Sequence, residues 1–382
     1  GELDRRARRV RLVVLPSRRC REQPRCGADP ICIADAHTCT AGSGHHQRRA
    51  AGVAVRRGGL SGRGGRCDLG GSAQAVTHRR VAAGAALVTA SACVMAWALA
   101  YPATSLAPAL ARALADGAAV VTLGLAAAPA LDTGRYREEF VGRATAPLVT
   151  ASAVWLVAEL VRLVLAGAEA AGAGIARLEL RTAVEFALHT APGRAGLITV
   201  SAAAAVCVLT VVTPRSDSAR IVATGLAGIG IVGHPLTGHL SMSPWGGLAI
   251  AVHALAAALW CGVLAGLVLT VEHRGQWARV LPRFSQLSLV CVTVLLIAGI
   301  LGAKVVINTP ADLYATGYGR VLSAKLLLTA ALTSLAWRNR ASWLPAARAH
   351  RSTAVVSRSR AYTELALMTV TLAAAATLAV TG

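Results

Sequence analysis

The chain has 382 residues, 55% of them hydrophobic and only 15% charged, with a mean hydropathy of +0.55. That composition lies outside the soluble average and inside the membrane class. The net charge of +21 does not make this a nucleic-acid binder, because residues 1–80 supply about half of it and short loops between apolar runs supply most of the remainder.

Residues 1–80 show neither helical nor strand periodicity, and runs such as Arg56-Arg-Gly-Gly-Leu-Ser-Gly-Arg-Gly-Gly-Arg66 bury too little apolar surface to fold. The segment reads as a disordered, Arg- and Cys-rich stretch, either an over-extended start or a metal-collecting arm using His37, Cys39, His45 and His46. Its five cysteines contain no C-x-x-C pair. Cys93, Cys207, Cys261 and Cys291 fall singly in apolar runs, where a thiol behaves as a small buried hydrophobe.

Beyond it, apolar stretches long enough to cross a hydrocarbon core recur near 81–100, 113–131, 146–167, 195–213, 218–233, 246–271, 284–306, 317–337 and 361–381. This predicts an all-α polytopic bundle of eight or nine spans, the fifth being short and the second interrupted by Arg112 and Asp116. Arginines crowd alternate loops (79–80, 135–143, 215–220, 274–283 and 338–360), which places those loops and the N-terminus in the cytoplasm. The 234–245 loop, the 307–316 loop and the 168–194 segment then face outward. Within the last of these, Leu178, Leu180, Val184 and Leu188 alternate with charged residues as an interfacial amphipathic helix would.

The outward loop carries the most distinctive chemistry: His234-Pro-Leu-Thr-Gly-His239-Leu-Ser-Met242-Ser-Pro-Trp245, followed by His253 about two turns into the next helix. Imidazole and thioether donors suit copper, Cu(I) above all. Pro235, Gly238 and Pro244 supply the turns that would fold the loop over the helix mouth. His253 also has a plain alternative as a core histidine bonded to a carbonyl, and Met242 as an interfacial contact. Trp260, seven residues after His253, shares its face and reads first as a packing aromatic.

Counted from the outer ends of the spans, Glu159, His253 and Lys325 all lie at about 10 to 12 Å depth. Ionisable groups there need partners. Glu159 pairs either with Lys325 across helices or with Arg162 on its own helix, and Glu364 is expected to meet Arg338 or Arg340. There is no P-loop, no Asp-Lys-Thr-Gly and no intramembrane Cys-Pro-Cys, hence no recognisable ATP-driven engine. The chain reads as a non-enzyme.

The stretch His253-Ala-Leu-Ala-Ala-Ala-Leu-Trp260-Cys-Gly262, then Arg283-Phe284-Ser285, Ala298-Gly299, Tyr318-Gly319-Arg320, Lys325, Arg338-Asn339-Arg340 and Glu364, resembles the copper resistance protein D (CopD) domain in order and spacing. The likeness covers about 234–382, a four-helix membrane domain with the His loop outside. Residues 81–233 resemble the less distinctive first half of such proteins. Cys261 departs from the family, whose members commonly carry valine or a similar residue there.

The resemblance implies a plasma-membrane protein that moves copper ions, or supplies them for resistance or cuproenzyme assembly. Its partners would be copper, the bilayer, and a periplasmic copper chaperone or oxidase assembly factor, with no nucleic acid. The reading of the residues takes His234, His239 and His253 as metal ligands with Met242 as a further candidate, and Glu159, Trp260, Tyr318, Arg320 and Lys325 as intramembrane polar residues. Some members continue into a cytochrome oxidase assembly domain, so the chain is expected to be either unfused or cut short after Gly382. Two rival functions are a b-type cytochrome with haem between paired histidines, and a copper donor that does not transport.

Overall fold

The computed structural model describes residues 90–95, 97–98, 106–237, 244–306, 314 and 316–381. The leading segment, most of the first expected span, His239 and Met242 lie outside the described residues. Among those described, all regular structure is helical: α1 (Leu106–Ala127), α2 (Arg135–Ala170), α3 (Leu180–His189), α4 (Ala191–Val212), α5 (Asp217–Gly233), α6 (Pro244–Thr270), α7 (Arg274–Val306), α8 (Gly317–Arg348) and α9 (Ala354–Thr381), with short 3-10 turns after α1, before α3 and after α5. Among the described residues six helices are long and apolar enough to cross a membrane: Ala107–Leu131, Arg135–Ala170, Ala191–Val212, Gly246–Thr270, Arg274–Leu301 and Gly319–Arg348.

Helix starts follow the sequence's capping residues. The hydroxyls of Thr190, Ser216 and Thr316 accept from the N–H groups of Gly193, Ala219 and Gly319, at 3.0, 3.2 and 2.9 Å. Each satisfies one of the N–H groups that a helix leaves unpaired in its first turn. Pro192 at the start of α4 needs no N–H there.

Several helices outrun the expected spans. α2 and α7 begin about ten residues earlier, and α8 ends about ten later, all at the arginine-rich end. A hydropathy reading stops where charges appear, whereas a helix continues as long as its backbone bonds are made and one face stays covered. Here that cover is Trp277 against Trp343, ring centroids 5.7 Å apart, both buried, with the Trp343 indole donating to Ser357 at 3.1 Å.

The arginines at this end have structural partners. Arg283 donates to the Leu131 carbonyl at 2.7 Å, Arg358 to Val271 at 2.8 Å, and Arg340 to the carbonyl and hydroxyl of Ser285 at 2.8 and 2.7 Å. Buried Arg220 donates to the carbonyls of Leu125 and Val141 at 3.3 and 2.9 Å. At Leu125, Leu131 and Val271 the guanidinium takes up a carbonyl at a helix end, where the helix dipole also favours a cation; Val141 and Ser285 lie inside α2 and α7 and accept it as a further donor. Arg279 instead pairs with buried Asp132 at 3.1 Å.

α1 packs against α2, α5, α6 and α9. Its crossing with α6 is backbone on backbone: a Cβ at Gly124 would collide with the Gly262 carbonyl, and one at Gly262 with the Val120 carbonyl. Small residues allow this approach, and dispersion then holds the pair without a hydrophobic gradient.

Within the 169–189 segment α2 ends at Ala170, a 3-10 turn covers Ile175–Arg177, and α3 follows. Leu180 (80% exposed), Val184 and Leu188 form an outward apolar stripe while Phe186 packs against Gly167, as an interfacial helix would present itself.

Candidate functional site

His234 follows α5 directly, at the end of the bundle opposite the arginine collar. Its Nε2 lies 3.2 Å from Glu159 Oε2 on α2. The other carboxylate oxygen is 3.5 Å from Arg162, one turn along the same helix. Arg162 is 3.6 Å from Asp116 on α1, and Asp116 is 3.5 Å from Arg112. Five ionisable groups from α1, α2 and the end of α5 therefore form one chain, with the Glu159 side chain only 3% exposed. Mutual pairing of this kind is what lets charge persist in an apolar interior.

Glu159 was expected to meet either Lys325 or Arg162, and the geometry settles on Arg162 and adds His234. The reason is local. Residues three apart on a helix share a face, and the end of α5 comes down beside that face.

Burial holds the His234 imidazole below the usual histidine range, against the opposing pull of the Glu159 hydrogen bond. A neutral ring at Glu159 carries its proton on Nε2, donates it to the carboxylate, and has its lone pair on Nδ1. A carboxylate that fixes the tautomer of a histidine is the usual support behind a metal-binding imidazole.

His253, half-buried on α6, turns to a different neighbourhood. Its Nδ1 is 3.2 Å from the Leu295 carbonyl on α7, and its ring lies over Gly299, where a Cβ would sit at ordinary contact distance. Nδ1 donates to the carbonyl and Nε2 keeps the lone pair. The Lys325 ammonium is near enough to act on it electrostatically, and Lys325 has no ion-pair partner among the described residues.

His234 and His253 are thus held by separate partners on separate helices. Among the described residues no group of three or more His, Cys, Asp or Glu could hold a metal. The single three-histidine cluster expected from the sequence is not assembled by these residues alone, since His239 and Met242 lie outside them. Arg320 is exposed, and Trp260 is buried in the core with its indole N–H close to Glu364 but short of hydrogen-bond geometry. Tyr318 begins α8, its side chain being outside the description. Glu364 accepts a 2.8 Å bond from Asn339, the residue between the two arginines expected to hold it.

Sequence reasoning missed Asp116 and Arg112 as members of the site. The signal was present, because a four-residue spacing of opposite charges marks a helix-face pair, but it was read as an interruption of the span. Among the described residues, His253 is the one histidine within a candidate span. A haem held between facing helices needs two.

These features define a polytopic helical membrane protein with a buried carboxylate–imidazole network at one end. Residues 102–248 match the family described as copper resistance protein D-like, N-terminal domain, and residues 278–378 match copper resistance protein D. The chain belongs to the copper resistance protein D family, a family of membrane proteins that handle copper. His234 and Glu159 fall in the first stretch, Lys325 and Glu364 in the second, and His253 and Trp260 between them. Neither the search of curated proteins nor that of solved structures found a match.

Proposed function

We propose that the protein binds copper at the outer face of a bacterial plasma membrane and passes it along α6, α7 and α8. The arginine-rich end and the N-terminus are then cytoplasmic, and eight or nine helices span the bilayer. His234 receives the ion, with His239 and Met242 of the following loop completing the donor set. His253, about two turns into α6, is a second station. The division into residues 81–233 and 234–382 belongs to the same reading, as does delivery from a copper chaperone or to an oxidase assembly factor.

The observation that supports this best is the 3.2 Å contact of His234 with a carboxylate itself held by Arg162. An oriented, neutral imidazole next to a loop that adds a second imidazole and a thioether is suited to a soft cation. Lys325 beside His253 opposes a cation lodging there, so His253 suits passage better than storage.

Copper accumulation in cells making wild type, His234→Ala or His253→Ala tests the proposal. Both variants should lose the change in cellular copper that wild type produces, and the sign of that change gives the direction of movement. Unchanged accumulation in both would refute it.

A further inference from the structure

The centre of the bundle holds a set of soft donors that the outer network does not use. Cys261 on α6 and Cys291 on α7 are both buried, as is Met368 on α9, and all three belong to one contiguous apolar core. Cys261 lies within electrostatic reach of Cys291 and of Glu364.

The helix register brings the methionine to the same level. Arg358 bonds the Val271 carbonyl, so α9 runs antiparallel to α6 from that point. Met368 lies ten residues along α9 and Cys261 ten residues back along α6, each about 15 Å from the contact at 1.5 Å per residue. Met368 also follows Glu364 by one turn and so shares its face.

We infer that Cys261, Cys291 and Met368 form an intramembrane binding site for Cu(I), inward of the His234 network. The inference rests on the copper reading above for its cargo, though not on the outer ligands. Two thiols and a thioether make an all-sulfur donor set, and soft sulfur ligands suit Cu(I). Charge favours the same ion. One thiol loses its proton to water as the sulfur–copper bond forms, and the resulting thiolate neutralises Cu(I). The second thiol and the thioether then bind as neutral donors, so no net charge is left in the apolar interior. A divalent ion would reach the same neutrality only by stripping the proton from both thiols.

The test is a Cu(I) titration of the full chain in detergent under ascorbate, against a chromogenic Cu(I) chelator. The variants are Cys261→Ser/Cys291→Ser, Met368→Leu and His234→Ala. Wild type should hold one more tightly bound Cu(I) per chain than the double serine variant. Met368→Leu, which keeps core volume, should retain that ion with weakened affinity. His234→Ala should keep it while losing the outer one. Equal Cu(I) stoichiometry and affinity in wild type, the double serine variant and Met368→Leu overturn the inference. Loss confined to the serine variants, with His234→Ala unchanged, overturns the outer site and leaves this one standing.

Discussion

Replacing Glu159 by Gln isolates what its charge does for His234. The amide keeps the shape and an acceptor oxygen, so the 3.2 Å contact with the ring can persist. What is lost is the negative charge that fixes the proton on Nε2 and raises the basicity of Nδ1. Removing such outer support costs about 10- to 100-fold in metal affinity, equivalent to roughly 1.4–2.7 kcal/mol. The fold should tolerate the change, because Arg162 keeps Asp116 at 3.6 Å. Glu159→Ala is harsher: it also strips Arg162 of its nearer carboxylate, and the buried guanidinium should lower stability by about 1–3 kcal/mol. Copper-competition titration of purified protein, beside thermal unfolding in the same detergent, separates the two effects. The reasoning fails if Glu159→Gln binds copper within twofold of wild type while His234→Ala binds it far more weakly.

Valine at Gly262 would drive a side chain into the Val120 carbonyl and force α1 from α6; overpacking of this kind costs about 1–3 kcal/mol, visible as a lowered unfolding temperature, and an unshifted Tm would contradict the crossing. Arg220→Leu leaves the buried Leu125 carbonyl without its side-chain donor, at about 1–3 kcal/mol, while Val141 keeps the Thr145 hydroxyl; its Tm should fall below that of a leucine variant at exposed Arg181. Asn339→Leu removes the 2.8 Å donor to buried Glu364 and should destabilise, whereas adding Glu364→Gln should recover most of the loss; equal stability of the single and double variants would argue against the pair. Because burial depresses the His234 pKa in the fold, its contribution to stability is full above about pH 6.5 and declines as pH falls below that. The wild-type Tm should therefore drop on acidification more than that of His234→Gln, and parallel curves would count against a buried neutral ring.

The helices were legible because apolar runs of membrane length admit few other readings. Their full extents were not: α7 and α8 continue through arginines because Trp277 and Trp343 cover each other, a contact between residues 66 positions apart. Glu159 shows the same limit. Its partner on its own helix followed from spacing, while His234, 75 positions on, required the packing of α5 on α2. For Glu364 the expected arginines flank the true partner. Successive helical residues point about 100° apart, so with Asn339 turned to Glu364 its neighbours turn away, and Arg340 reaches Ser285. In the outer loop, His234 is placed while His239 and Met242 lie outside the described residues.

The placing of α1 bears on how the molecule is made. It emerges from the ribosome well ahead of most of the bundle, yet it packs against α9, some 230 residues later. Until α9 inserts, that flank stays open to lipid, insertase or quality-control protease, so a nascent chain stopped before residue 354 should be a degradation substrate even with both glycines of the α1–α6 crossing already in contact.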